Sequence, residues 1–102
     1  MGLKLVAVDL VFNLQSFKFL EIDLNHINKN KRSNYTLEEI KNITYKLLLN
    51  KLLIPSAVRE YENEACSYFV LKDYFMRKKY KIVFCICSDR PENIGIITFH
   101  RI

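Results

Sequence analysis

The chain contains no tryptophan and only two glycines, two prolines and two histidines among 102 residues. So little glycine and proline excludes a collagen repeat, a flexible linker and a proline-rich ligand. No glycine-rich phosphate loop and no serine-nucleophile motif occurs. The three cysteines, Cys66, Cys85 and Cys87, are an odd number for a secreted disulfide scaffold. Cys85 and Cys87 lie in an apolar, strand-like run, where a free thiol behaves as a small hydrophobe. These features point to a reducing, cytoplasmic setting. Zinc needs about four ligands at suitable spacing, and Cys-x-Cys with two distant histidines does not provide them. Neither a metal nor a cofactor is expected. The apolar N-terminal run is too short to span a membrane and is interrupted by Lys4 and Asp9, so no targeting or membrane segment is expected.

What is present is a globular composition: 50% hydrophobic, 26% charged and 13% aromatic. That excludes wholesale disorder and fits one domain over residues 1–102. Lysine and arginine outnumber aspartate and glutamate by 16 to 11, a net charge of +5. The excess favours an acidic partner, such as nucleic acid or an acidic protein.

Residues 3–12 and 17–24 read as strands able to pair in a hairpin, with a helix over 3–14 as the competing reading of the first. The polar, basic segment 25–34 reads as a loop or short helical turn. Thr36 with Glu39 forms a capping box, and Tyr35 with Ile40 has the spacing of a hydrophobic staple. Leu37, Ile40, Ile43 and Leu47 repeat at helical spacing, so a helix is expected over residues 37–49. Residues 57–61 lead into a polar turn, and Glu60, Glu62 and Glu64 read as a solvated edge. Strands are expected over 66–74, 80–87 and 93–102, with 80–87 in the sheet interior because both its faces have high β-propensity. Short turns between them imply an antiparallel meander. The expected class is α+β, one principal helix packed on a curved antiparallel sheet of four or more strands.

Two imidazoles titrating near neutrality suit RNA cleavage by general acid–base catalysis. His26 precedes the capped helix and His100 ends the last strand. Alternation puts Ile94, Ile96, Thr98 and His100 on one face, and Ile97, Phe99 and Arg101 on the other. Lys29, Lys31 and Arg32 form one basic cluster. Arg77, Lys78, Lys79 and Lys81, interleaved with Tyr74, Phe75 and Tyr80, form a second. Cations hold phosphates and aromatic rings stack on unpaired bases. The candidate catalytic set is therefore His26, His100 and Arg32. The candidate RNA contacts are Lys29, Lys31, Lys78, Lys79, Tyr80, Thr98 and Arg101. The ordinary alternative at each position is a solvated loop, hairpin tip or strand end.

The stretches NHINKNKRSNYTLEEI and KYKIVFCICSDRPENIGIITFHRI give a layout that resembles the RelE/ParE-like toxin superfamily, over roughly residues 25–102. The resemblance implies a RelE-like fold and a toxin of a bacterial toxin–antitoxin system. It implies a metal-independent endoribonuclease, with catalytic groups at His100 and Arg101 on the sheet and at Arg32 or Lys31 with His26 from the helix side. It also implies an acidic antitoxin or immunity protein as partner. ParE-like members inhibit a protein target instead, so a non-catalytic binding module is the alternative. Aromatic- and cysteine-rich strands are also compatible with a homodimer built through an intersubunit sheet.

Overall fold

A computed structural model describes residues 3–29, 34–55 and 65–102. Along the chain lie β1 (Leu3–Phe12), β2 (Gln15–Asp23), α1 (Leu24–Ile27), α2 (Leu37–Leu48), β3 (Cys66–Phe75), β4 (Lys78–Cys87) and β5 (Arg90–Arg101). The five strands form one sheet in the order β1-β2-β5-β4-β3. The segment expected at residues 57–61, the acidic run after it, Lys31 and Arg32 lie outside the described residues.

This architecture corrects the expected class in two respects. The sheet is mixed, because β2 and β5 run parallel through Phe19–Ile22 and Asn93–Ile96. Strand also predominates over two short helices of four and twelve residues, in place of one principal helix on an antiparallel, RelE-like sheet. The reason is non-local. The β1–β2 hairpin and the β3–β4–β5 meander are each antiparallel, as their short turns require. A long crossover carrying both helices joins the two units, and such a crossover permits parallel pairing. Ile94 and Ile96 of β5 are buried and need apolar neighbours on both edges, and Leu20 and Ile22 of β2 complete that layer.

Local expectations for α2 hold. The Thr36 hydroxyl accepts from the Glu39 backbone N–H, and the Glu39 carboxylate accepts from the Thr36 N–H, both at 3.1 Å. Ile40, Ile43, Leu47 and Leu48 turn into the core. Tyr35 extends that packing, with its ring edge-on to Phe99 at 4.9 Å.

The two edge strands meet on the helix side. Phe12 of β1 lies 5.6 Å from Phe69 of β3 and 5.4 Å from Phe84 of β4, and α2 packs on both edges. The chain leaving α2 ties this closure. Both polar atoms of the Asn13 side chain bond the Leu53 backbone, and Lys51 pairs with Asp73. No described helix packs on the outer face of the sheet, whose residues alternate with the core ones.

Candidate functional site

In β4 the core residues Tyr80, Ile82 and Phe84 alternate with Lys81, Val83 and Cys85, which face outward. In β5 the simple alternation expected from the sequence fails. Val83 pairs with Thr98 while Phe84 pairs with Ile96, so Ile97 is an extra residue. Such a bulge switches the phase of the strand. Ile94, Ile96 and Phe99 therefore all enter the core, and Thr98 and His100 face outward together. The pairing of Thr98 with His100 holds. Their sharing a face with Ile94 and Ile96 does not.

The outer face then carries a cationic row. Lys72 of β3 stands opposite Lys81 of β4, which stands opposite His100 of β5. Like charges directly opposite on neighbouring strands repel. His100 registers this: burial first, and the Lys81 ammonium second, hold its pKa below the ordinary histidine value. Among the described residues no ion pair engages Lys72, Arg77, Lys78, Lys79, Lys81 or Arg101. One hairpin end of the sheet therefore combines uncompensated cations, an imidazole and the Thr98 hydroxyl.

Other sequence candidates fall elsewhere. His26 lies on α1, where its backbone N–H donates to Asp23 Oδ1 and its side chain is exposed. Because β2 runs parallel to β5 and α1 packs on β5, His26 is brought to the same end of the sheet as His100. However, Leu24 and Ile27 turn α1 toward the core side, whereas His100 faces outward. No hydrogen bond joins the two histidines among the described residues. Lys29 follows α1 and is exposed. Tyr80 is buried against Tyr35 and Phe99, with centroids 6.5 and 5.6 Å away, so its ring belongs to the core. Its pKa is raised, chiefly by burial. Arg101 pairs with Tyr80 and so lies on the other face from His100, as alternation requires. Lys78 and Lys79 flank the β3–β4 turn, with the Lys79 ammonium 5.7 Å from the Tyr74 ring centre.

Lys72 was not singled out in the sequence, although a signal for it existed. The turn between β3 and β4 is the two-residue Met76–Arg77. Fixing that turn length aligns Lys72 with Lys81 without further information.

The outer face also holds a buried carboxylate. Glu21 accepts from Arg90 Nε at 2.7 Å and from Asn93 Nδ2 at 2.9 Å. The Cys85 thiol beside it is pushed up by burial and by that carboxylate. Its hydrogen bonds satisfy this cluster, which ties β2 to β5. Cys66 and Cys87, opposite each other on β3 and β4, are joined as a disulfide, and Cys85 is free. This corrects the reading of Cys87 as a free apolar thiol, one of the grounds on which the reducing setting was expected. No helix among the described residues is long and apolar enough to cross a membrane.

Comparison of the chain with protein-family models, with curated proteins and with solved structures finds no match.

Proposed function

We propose that the protein binds RNA on the outer face of the sheet and cuts it, as the endoribonuclease toxin of a toxin–antitoxin pair. The observation that carries this reading is the row Lys72–Lys81–His100, three strands wide and without a carboxylate partner among the described residues. A phosphate backbone offers such a row the negative charge that no described carboxylate supplies. An acidic antitoxin or immunity protein would satisfy the same cations and would compete with RNA for them.

The chemistry follows from His100. Its lowered pKa keeps the imidazole neutral near pH 7, the form that accepts a proton. In the proposed reaction it takes the proton of a ribose 2′-hydroxyl. The resulting oxygen attacks the adjacent phosphorus, and the departing 5′-oxygen takes a proton from water. Lys81 and Lys72 steady the charge that builds on the phosphate. His26 is assigned no step, because α1 turns toward the core side.

The test is a paired assay of the full chain on single-stranded RNA. Lys72→Gln and Lys81→Gln should each weaken binding and reduce the slope of log affinity against log salt by about 0.7. His100→Ala should abolish cleavage, and the toxicity of induced expression, while leaving binding within about threefold, since a neutral imidazole adds little Coulombic attraction. Binding that ignores salt, or no binding at low salt, overturns the RNA reading. Binding without cleavage by the wild type leaves a non-catalytic binding module.

A further inference from the structure

We propose that the cleft between α2 and the β3–β4 hairpin is a pocket for one unpaired guanine base, so that the RNA recognised is single-stranded at that point; this rests on the RNA-binding reading above. The cleft measures about 380 Å³, within the range of pockets that hold small ligands, about 300–1,000 Å³. It lies on the helix side of the same hairpin, the face opposite the cationic row. Phe75 and Lys78 share the face of Tyr80, whereas Lys72 and Lys81 point the other way, so a strand held by the row reaches the cleft around the Met76–Arg77 turn.

Its walls have the chemistry of a base site. Ile43 from α2 and Phe75 from β3 supply apolar surface on opposing sides. Met76 extends that surface at the turn, held out 80% exposed in a left-handed conformation. A large apolar side chain kept in water this way gains by covering the face of an aromatic ligand. Tyr80 closes the base of the cleft. Two polar groups from α2 face the opening. Asn42 can donate and accept, and Glu39 can only accept. One Glu39 oxygen is engaged by the Thr36 N–H, which fixes the carboxylate in place. An anchored acceptor selects a base edge made of donors. Guanine presents two adjacent N–H groups on its pairing edge, whereas uracil presents one N–H between two carbonyls that the carboxylate would repel. Lys78 stands at the rim, where the phosphate of such a nucleotide would pass. A base held in a duplex cannot enter, because both its faces and its pairing edge are already occupied.

The experiment measures equilibrium binding of the full chain, at one fixed salt concentration, to three labelled RNA probes. These are an eight-residue oligouridine, the same strand with one central guanosine, and a duplex in which that guanosine is paired. The guanosine strand should bind about tenfold tighter than the oligouridine, in line with what one stacked and hydrogen-bonded base contributes. It should also exceed the duplex per unit of charge. Asn42→Ala, an exposed helical position, and Met76→Asn, which suits a left-handed turn, should each erase most of that preference without altering the salt slope. Equal binding of all three probes overturns the pocket while the RNA-binding face stands. A preference that survives both substitutions also overturns it. Failure of every probe to bind at low salt removes the RNA reading itself.

Discussion

Lys81 and His100 stand directly opposite each other across β4 and β5, on the face of the sheet that no described helix covers. The arrangement sets an imidazole beside an ammonium, and burial first and the Lys81 charge second make the imidazole resist protonation. Its folded pKa lies below the unfolded value of about 6.5, so the unfolded chain binds more protons in the interval between the two.

Stability should therefore fall as pH drops from about 6.5 through the folded pKa of His100, and be level above that interval as far as this group is concerned. Proton NMR titration should place the His100 midpoint below the ordinary histidine value of about 6.5. Lys81→Gln should move it upward, and so should bound RNA, because a phosphate favours the imidazolium. A midpoint unmoved by Lys81→Gln would show that the ammonium plays no part in depressing it.

Gly95 sits between Glu21 and Cys85 in the same cross-strand row. A Cβ there would lie 2.9 Å from Cys85 Sγ and 3.5 Å from a Glu21 carboxylate oxygen. Gly95→Ala must push the thiol aside and disturb the carboxylate that Arg90 and Asn93 hold. A loss of roughly 1–3 kcal/mol is expected, as for other overpacked sites, read as a lower urea midpoint at unchanged m. Cys85→Ala in the same chain should restore part of it. An unchanged midpoint in the single variant would mean that the row has room to spare.

Thr44 is fully buried in α2, and its hydroxyl has no hydrogen-bond partner among the described residues. Valine keeps the shape and the β-branching while removing the unpaired polar atom. Thr44→Val should stabilise the fold by about 1 kcal/mol, raising the melting temperature by about 4–8 °C for a domain of this size. A lower melting temperature would reveal a partner for the hydroxyl in solution.

The β1–β2 turn places both Asn13 and Leu14 at positive φ, 52° and 62°. Asn13 tolerates this and is fastened to Leu53. Leu14 is 87% exposed and gains nothing in return. Leu14→Gly should therefore stabilise the hairpin by roughly 1 kcal/mol, the cost of holding a substituted residue left-handed. Calorimetry comparing it with Leu14→Ala, which retains the Cβ, isolates the backbone effect; equal melting points for the two variants would discount it.

Features that depend on neighbours in sequence were legible from the residues alone. The capping box of Thr36 and Glu39, the apolar stripe of α2, the β1–β2 hairpin and the interior position of β4 all follow from local hydrogen bonding or from periodicity, and the structure has each of them. The basic hairpin with Lys78 and Lys79 was legible for the same reason. What only tertiary structure decided lies across the chain. The parallel join of β2 to β5 depends on a crossover whose path no local pattern specifies. The bulge at Ile97 breaks the alternation read straight through β5. The adjacent Ile96 and Ile97, where the apolar positions change phase, are its trace in the sequence, but only the pairing with β4 shows which residue is inserted. Lys72 acquires its place beside Lys81 and His100 only when turn length and strand order are both set. The pairing of Cys66 with Cys87 likewise follows from the β3–β4 register and not from the count of cysteines. Periodicity reports which way a side chain points from its own strand, while a site assembled on three strands is determined by register, and register is a property of the folded sheet.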